Sequence, residues 1–348
     1  MTHSAIGRVK TEMIRLWLLL SLALVANSLF STSKAKLSSK KVIAVTGSSG
    51  LVGSELVRRL QEDQSIQVLR VTTDQEKASK NGMIYWDITN KKLDGLPEGL
   101  QAVVHLAGEN IATGSNPTGL LRNIPWWSSK KKDKILNSRI DGTKVLVDTI
   151  SKMKVKPKAF ICASAVGLYG PYDNNQIFTE KDDVGKGFLA QVVQAWEREA
   201  FIAKTKGIRT VALRFGVVLS KNGGILAKIL PIFKLGLGGK LGSGEQGFAF
   251  VHIDDVVESI LFAINKSNVE GAYNVVGDPI DNNEFTKALG EVLNRPTILP
   301  VPNLAIFGDF GSEVLFGGQK VSNSKLVKAG FKFQFSNIGD ALRGILSQ

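Results

Sequence analysis

The sequence predicts an α/β fold, in which a doubly wound parallel sheet of the Rossmann type is followed by a smaller C-terminal lobe. Short apolar, β-branched runs of the kind that form strands buried on both faces recur along the chain. Glycine-containing turns follow these runs, and segments with helical spacing come next. The 348 residues are enough for one large α/β unit or two modest domains. We expect the sheet domain over residues 41–224 and the smaller lobe over residues 225–348.

The first predicted strand covers residues 41–46, and a glycine run and a helix over residues 51–60 follow it directly. In this context the spacing G-x-x-G-x-x-G is typical of a loop that holds the pyrophosphate of a dinucleotide. Gly47 permits the tight turn, Gly50 lets the backbone approach the phosphates, and Gly53 lets the helix pack on the sheet. The start of the helix offers free N–H groups to the phosphates. The expected dinucleotide contacts are Gly47, Ser48, Ser49, Gly50, Leu51, Val52 and Gly53.

A second strand is predicted over residues 66–71, and the residues around its end bear on the choice between NAD and NADP. An acidic residue there usually binds the adenosine ribose of NAD, whereas a nearby Arg favours NADP. Here Thr73 and Asp74 follow the strand, Asp74 lies one residue late for a ribose contact, and Arg70 lies inside the strand. We expect Thr73 and Asp74 to line the cofactor site, and both cofactors, NADP and NAD, stay open.

A further buried strand is predicted over residues 102–107, and Gly108, Glu109 and Asn110 follow it. Ligands of open α/β sheets bind beyond the carboxyl ends of the strands, so these residues are expected in the crevice. We interpret His105, which lies inside this strand, as a core histidine with satisfied hydrogen bonds.

The composition argues against several other classes of function. Of the formal net charge of +13, residues 1–40 carry +5, from six basic residues against one acid. The basic clusters at 130–132 and 152–158 are not interleaved with aromatics, apart from Trp126 and Trp127 before the first, so we expect no nucleic-acid binding. A single cysteine, Cys162, allows no disulfide within the chain, and three His without ligand spacing predict no metal site.

Residues 1–40 have the character of a targeting leader and are left out of the fold prediction. Basic residues precede an apolar core over residues 16–26, which is short for a membrane span and has the length of a signal-peptide core. A stretch rich in Ser and Lys and free of acids follows, as in transit peptides. Such a two-part leader predicts a plastid, with the ER lumen or secretory pathway and a signal anchor as alternatives. After its removal we expect no stable membrane span.

Seven segments give a combination that is specific to one family. They are GENIA (108–112), SRIDGT (138–143), ASAVGLYG (163–170), LRFGVVLSKNGGIL (213–226), FKLGLGGKLGSGEQ (233–246), HIDD (252–255) and GGQKVSNSKLVKAGFKF (317–333). Together they resemble the epimerase family proteins, a group of atypical short-chain dehydrogenases/reductases of the extended type. The resemblance spans residue 41 to the C-terminus. It implies an NAD(P)-binding Rossmann fold with a C-terminal domain of unknown function, whose family-specific tail covers residues 296–344. It supplies no substrate, and plant relatives are associated with plastid division.

The resemblance also implies further cofactor contacts. In the extended group an Asp-Ile or Asp-Val pair contacts the adenine, and Asp87 and Ile88 match that pair. The segment VVHLAG is similar to the fourth-strand motif that borders the nicotinamide and the phosphates. Leu106, Ala107 and Gly108 are the cofactor contacts implied by this match.

The catalytic pair of the wider superfamily, Tyr-x-x-x-Lys, does not occur in this chain. The tyrosines are Tyr85, Tyr169, Tyr172 and Tyr273, and none is followed four residues later by a lysine. By register with the following Trp-Glu, Phe188 falls near the Tyr position and Val192 near the Lys position. In the superfamily this Tyr is the acid/base, and its loss predicts a slow enzyme unless another group serves.

Several polar residues are candidates for the missing chemistry. We expect Ser164, Tyr169 and Glu109 as catalytic residues, with Tyr169 the first choice as proton donor. Their alternative is a role as pocket wall or surface. Two functions stay open: an NAD(P)-dependent epimerase or oxidoreductase acting on a small or sugar-nucleotide substrate, and a nucleotide-binding regulator without turnover. A homodimer is compatible with both. The substrate contacts expected in the crevice are Asn110, Arg139 and Tyr172.

Overall fold

The computed structural model describes residues 40–113, 125–171, 176–302 and 308–347, and one compact unit begins at Lys41. Most of the predicted leader and Tyr172 lie outside the described residues. The described residues contain twelve strands, which build one large sheet and two short pairs. In chain order the strands are β1 (Lys41–Thr46), β2 (Ile66–Thr72), β3 (Ile84–Asp87), β4 (Lys92–Leu93), β5 (Ala102–His105), β6 (Ala159–Ala165), β7 (Ile177–Phe178), β8 (Arg209–Phe215), β9 (Val217–Leu219), β10 (Phe250–His252), β11 (Gly271–Val275) and β12 (Lys320–Val321).

The large sheet has eight strands in the order β11-β8-β6-β5-β1-β2-β3-β4. All neighbouring strands are parallel except β3 and β4, which pair antiparallel. The chain runs outward from β1 through β2 to β3 and then returns to the other side of β1, where β5 begins the second half. This reversal is a topological switch point, and it opens a crevice at the carboxyl ends of β1 and β5. The predicted α/β, doubly wound fold is confirmed.

Helices cover both faces of the sheet in the manner of right-handed crossovers between parallel strands. Among the described residues, no helix is both long and apolar enough to cross a bilayer. The helices are α1 (Leu51–Gln61), α2 (Gln75–Asn81), α3 (Ser129–Ser151), α4 (Phe188–Thr205), α5 (Gly224–Lys234), α6 (Ile253–Asn265), α7 (Asn282–Leu293), α8 (Gly308–Phe310), α9 (Ser324–Lys328) and α10 (Ile338–Ser347), with a 3-10 turn over Val166–Tyr169 and a π turn over Gly311–Leu315.

The first strand and helix form where the sequence predicts them. The strand occupies the predicted residues 41–46, and its last four side chains are buried, because the sheet is covered on both faces. Helix α1 buries Leu56 and Leu60 completely against the sheet. Each such leucine contributes about 1.5–3 kcal/mol by leaving water. This packing fixes the start of α1 above β1.

The C-terminal half adds a second core and also extends the first one. Helices α5, α7 and α10 bury Leu230, Leu289 and Leu342 in a separate apolar cluster. Strand β11 pairs with β8, and α6 buries Val256 and Ile260 in the main core. The large sheet therefore draws on residues from both sides of the predicted boundary at 224.

Helix α6 is capped by His252, and neither of the two acids in its first turn, Asp254 and Asp255, is the cap. The helix begins at Ile253, and the His252 side chain accepts the capping hydrogen bond from the Asp254 backbone N–H at 3.0 Å. Asp255 is buried and accepts from the backbone N–H groups of Gln334 and Phe335 at 2.7 and 2.9 Å. The carboxylate of Asp255 thus holds the C-terminal tail against the core.

Candidate functional site

The glycine loop between β1 and α1 is too crowded for side chains at two of its three glycines. A Cβ on Gly53 would lie 2.1 Å from the Gly47 carbonyl oxygen. Gly47 has a φ of +66°, and a Cβ there would lie 2.7 Å from the Ala107 nitrogen. Gly50 donates its N–H to the Gly47 carbonyl at 3.0 Å, which closes the turn. The loop is therefore a bare-backbone cradle of the shape that a pyrophosphate requires.

Helix α1 begins on this cradle without a side-chain cap. Its N-cap is Gly50, and no acidic residue lies in its first turn. Ser49 and Gly50 are exposed, and Leu51 and Val52 are half-buried. The first N–H groups and the positive end of the helix dipole are available to an anion. The geometry fits a dinucleotide whose phosphates lie at the start of α1.

Arg70 extends the cradle toward the end of β2. Its Nε lies 3.3 Å from the Ser48 hydroxyl oxygen, within donating distance. Arg70 has no ion-pair partner among the described residues. Asp74 is the N-cap of α2 and accepts from the Lys77 N–H at 3.0 Å, a bond that lowers the pKa of Asp74. Thr73, beside it, is exposed. At this strand end a cation faces the cradle, while the nearest acid serves as a helix cap.

His105 at the end of β5 lies between the two halves of the sheet. One ring nitrogen lies 2.7 Å from Thr46 Oγ1 and the other 3.0 Å from Thr143 Oγ1. Burial lowers the pKa of His105 to about 3, helped by the charge of Arg139, so the ring is neutral. His105 is a core histidine, as the sequence predicted. The backbone N–H groups of Leu106 and Ala107 approach Thr46 Oγ1 at 3.2 and 3.3 Å.

The residues matched to the adenine contact lie at the end of β3. Asp87 accepts from the backbone N–H and the side-chain amide of Asn90, and these bonds lower the pKa of Asp87. Ile88 packs against the main core, beside the position of Gly142. The contact of Asp87 and Ile88 with adenine stays a prediction.

Beyond β6, polar residues form a buried chain of hydrogen bonds. Ser164 donates to Glu197 at 2.5 Å, and Glu197 forms a bidentate ion pair with Arg214, with both distances 2.8 Å. Arg214 also donates to the hydroxyl of Tyr169 at 2.9 Å, and Tyr169 donates to the Asn274 side-chain oxygen at 2.8 Å. All five side chains are at least nine-tenths buried. We call this set the Glu197 network.

The Glu197 network engages the hydroxyls of two predicted catalytic residues, Ser164 and Tyr169. Burial opposes the charge of Arg214, but its bonds with Glu197 outweigh that effect and raise the pKa of Arg214. Burial likewise raises the pKa of Tyr169, and the nearby Arg214 only partly offsets the rise. Tyr169 is 0% exposed and its proton is engaged by Asn274. These contacts count against Tyr169 as proton donor, and Ser164 has no free proton while it is bonded to Glu197.

The positions matched to the Tyr/Lys pair lie in an apolar cluster at the start of α4. Phe188 is the first helical residue, and Val192 is 1% exposed. Trp127 packs edge-on against Phe188, with ring centres 5.5 Å apart. Glu313 caps the helix by accepting from the backbone N–H groups of Phe188 and Leu189 at 2.7 and 2.8 Å. A segment of the C-terminal region therefore caps the helix at the residue that the sequence register matches to the superfamily's Tyr.

The polar residues after β5 are only partly available to a ligand. Glu109 is an ion-pair partner of Lys131 at 2.5 Å, and its side chain is 37% exposed. Asn110 is exposed and accepts from the Ala112 N–H at 2.8 Å. Arg139 donates to the backbone carbonyls of Glu109 and Ile135, both at 3.1 Å.

Arg139 is a structural cation in this arrangement. Its guanidinium lies 5.1 Å from the centre of the Trp196 ring, and burial lowers its pKa to about 10, partly offset by Glu109. A Cβ on Gly108 would lie 3.1 Å from the same guanidinium. Because these contacts enclose Arg139, they count against its predicted role in holding an anionic substrate.

Sequence reasoning missed the partners that organise the site, namely Lys131, Glu197, Asn274 and Glu313. One signal was present: Arg214 is a charged residue between Leu213 and Phe215 in the buried part of strand β8, and a buried charge requires a partner. The sequence does not show which acid pairs with it. Within the described ranges, no group of three or more His, Cys, Asp or Glu residues could hold a metal ion.

Two family models match the chain. The NAD dependent epimerase/dehydratase family matches residues 43–276, and a domain of unknown function, DUF1731, matches residues 300–345. The chain belongs to the NAD dependent epimerase/dehydratase family. The family resemblance seen in the sequence is therefore confirmed. Family members bind NAD(P), and the cradle described above fits that cofactor, so the cofactor is NADP or NAD.

Individual relatives cover most of the chain. An epimerase family protein of Mycobacterium bovis is 38% identical over 86% of this chain and 96% of its own length. A protein of Arabidopsis thaliana, named as a chloroplastic homolog of the epimerase family protein SDR39U1, is 36% identical over 88% of this chain and 87% of its own. The crystal structure of human SDR39U1 (isoform 2) with NADPH superposes with a TM-score of 0.77, at 30% identity over 88% of this chain and 99% of that one.

Proposed function

We propose that this protein is an NADP(H)-binding regulator. The dinucleotide is a bound ligand that the protein does not oxidise or reduce, and the Tyr/Lys pair that would relay a proton is absent from the sequence. The observation that carries the proposal is the Glu197 network together with the apolar cluster at Phe188 and Val192. The hydroxyls of Ser164 and Tyr169 are bonded inside the protein. The cradle at Gly47 to Gly53, in contrast, keeps exposed backbone at the start of α1.

The preference for NADP over NAD rests on Arg70. A 2′-phosphate carries negative charge, and a guanidinium can bind it with two parallel hydrogen bonds. Arg70 lies at the Ser48 hydroxyl and forms no ion pair with a carboxylate among the described residues, and Asp74 is engaged as the cap of α2. The human relative with a crystal structure holds NADPH, which supports the same choice here.

Calorimetric titration with NADPH tests binding at the cradle. Wild type is expected to bind, and Gly50→Val is expected to lose binding, because a branched side chain would cover the phosphate site next to the Gly47 carbonyl, 3.3 Å from a Cβ at this position. Ser54→Val, an exposed position one turn along α1, is the matched control and should bind like wild type. Equal affinity of Gly50→Val and wild type would sink the assignment.

A second candidate function is a slow NADP(H)-dependent oxidoreductase that uses Glu109. The observation in its favour is the Glu109–Lys131 pair, which stands at the crevice with the carboxylate partly exposed. In such a site Glu109 would exchange the proton with the reacting oxygen, and Lys131 would hold the Glu109 carboxyl group in position. The substrate would be a small or sugar-nucleotide carbonyl compound.

For the cellular location we propose a plastid. The two-part composition of residues 1–40 supports it, as does the chloroplastic relative in Arabidopsis thaliana. Mature protein isolated from the native cell should begin between residues 27 and 41, in a plastid fraction. N-terminal sequencing that finds Met1 intact in a cytosolic fraction would contradict the proposal.

A further inference from the structure

Exposed aliphatic side chains are concentrated at the end of α5 and in the segment after α7. Ten large apolar side chains of the described residues are exposed, and half of them lie in these two places. Isolated surface leucines are ordinary, whereas a contiguous apolar patch marks an interaction site. The five side chains are Ile232 (50% exposed), Leu235 (73%), Leu237 (53%), Ile298 (78%) and Leu299 (47%).

The two segments touch each other, which brings the five exposed side chains into one region of the molecule. Arg295 donates from Nε to the Lys234 carbonyl at 2.7 Å. A Cβ on Gly239 would lie 1.7 Å from the Leu299 carbonyl oxygen, which shows how closely the two backbones approach. The N–H of Val301 donates to the Lys240 carbonyl at 2.9 Å. We call the surface formed by Ile232, Leu235, Leu237, Ile298 and Leu299 the apolar tip.

Basic residues lie in the same two segments as the apolar tip, and residues 225–244 and 292–302 contain no acid. Residues 225–244 hold Lys228, Lys234 and Lys240, and residues 292–302 hold Arg295. In the described part of the chain none of these four cations forms an ion pair with a carboxylate. Apolar side chains among unpaired cations are the signature of a surface that docks on an anionic bilayer. A symmetric contact with a second copy would instead bring the same cations together.

A small polar cavity adjoins the apolar tip, and Ile298 lines both. Its volume is about 210 Å³. Ammonium groups, hydroxyls and an amide on its wall are donors suited to a phosphate group. A lipid phosphate held there would leave its acyl chains beside the tip. The lining residues are Lys240, Asn283, Thr286, Lys287, Thr297, Ile298 and Pro300.

We propose that the apolar tip docks this protein on an anionic lipid surface, with a lipid phosphate in the cavity next to it. The aliphatic side chains enter the boundary between headgroups and acyl chains, and the lysines and Arg295 face the anionic headgroups. This inference is independent of whether the bound dinucleotide is turned over.

A fluorescent probe placed on the tip tests the inference at the residue concerned. Cys162, the one cysteine of the chain, is buried, so Leu235→Cys can be labelled selectively with an environment-sensitive dye. Val327→Cys, at a position 48% exposed on α9, is the matched control. The full chain is used throughout, because the probe reports on position 235 itself and a contact made by the leader does not imitate it.

The expected result is a blue shift of the probe at position 235 with vesicles containing roughly one third phosphatidylglycerol in phosphatidylcholine. The probe at position 327 should not shift, and phosphatidylcholine alone should give no shift at 235. Lys240→Gln and Lys287→Gln should each weaken vesicle binding about fivefold, whereas Lys266→Gln, on the end of α6, should not. Thermal unfolding of each variant checks that the fold is intact.

Two results would overturn the inference. The first is an unshifted probe at position 235, or the same shift with neutral and anionic vesicles. The second is a shift that appears without vesicles and grows with protein concentration, together with a dimer in sedimentation that Leu235→Glu dissociates. That outcome would assign the apolar tip to self-association.

Discussion

The two halves of the crevice differ in what they leave available to a ligand. On the β1–β2 side, the cradle presents bare backbone, an uncapped helix start and Arg70 without a counter-charge among the described residues. On the β6–α4 side, the polar side chains are bonded to one another in the Glu197 network, and the neighbouring Phe188 and Val192 lie in an apolar cluster. The groups that suit dinucleotide binding are therefore accessible, whereas the hydroxyls of Ser164 and Tyr169 are enclosed. We call these two parts of the crevice the accessible side and the enclosed side.

The largest effect is expected on folding stability, when the buried ion pair between Glu197 and Arg214 is broken. Glu197→Gln leaves the buried Arg214 without its counter-charge, and removing one partner of a buried pair typically costs about 3–5 kcal/mol. The free energy of unfolding in guanidinium chloride should fall by that amount, while NADPH binding to the folded protein persists. Glu199→Gln, two residues along α4, is the matched control and should change stability by less than about 0.5 kcal/mol. Equal stability of the two variants would contradict the role of Glu197 as the counter-charge of the buried Arg214.

The substitution Arg70→Leu tests whether Arg70, on the accessible side, binds the 2′-phosphate of NADPH. Hydrogen bonds to charged groups contribute about 1.5–3 kcal/mol, so NADPH affinity should fall roughly ten- to hundredfold while NADH affinity stays unchanged. Fluorescence titration with both dinucleotides measures the ratio. Arg58→Leu, on the exposed side of α1 where Arg58 pairs with Glu55 and Glu62, is the control. A parallel loss of both dinucleotides in Arg70→Leu would argue against a 2′-phosphate contact.

His105 lies between the two sides, and the pH dependence of stability tests whether its ring is shielded from water. In the unfolded chain a histidine takes up its proton near pH 6.5, whereas burial lowers the folded pKa of His105 to about 3. As the pH falls below about 6.5, the unfolded state binds a proton that the folded state does not, so stability decreases with falling pH over the window down to about 3.

At pH 5 the loss attributable to His105 should be about 2 kcal/mol, from about 1.4 kcal/mol per pH unit. Denaturation of wild type and His105→Gln at pH 7 and pH 5 isolates it as the difference between the two proteins. An identical pH dependence for both would show that water reaches the ring.

The sequence predicts the strand, the glycine turn and the helix of the accessible side, because the signals for these elements are local. Strand β1, the glycine spacing and α1 follow one another within residues 41–61, and the strand has the predicted bounds. Strand β5 ends at His105, two residues earlier than predicted, where the Leu106 and Ala107 N–H groups approach the Thr46 hydroxyl. That contact joins residues about sixty positions apart, and no local pattern encodes it.

The contacts of the enclosed side could not be predicted from the sequence, because they also join residues that are far apart in the chain. Ser164 and Glu197 are 33 positions apart, and Tyr169 and Asn274 are 105 apart. The residue types and local spacing of these four residues are compatible with an exposed site. Their side chains are buried only because β6, α4, β8 and β11 pack together. The absence of Tyr-x-x-x-Lys was visible in the sequence, whereas the Glu313 cap at Phe188 required the fold.

The most direct test of the central claim is a single-turnover measurement on wild type loaded with NADPH. The protein is mixed with a broad panel of carbonyl compounds and sugar nucleotides, and the NADPH absorbance is followed. We predict that NADPH stays bound and is not oxidised, and that Glu109→Gln behaves like wild type. Oxidation of NADPH by wild type that Glu109→Gln slows roughly a hundredfold, the size of a lost general acid, would contradict the account and establish the oxidoreductase.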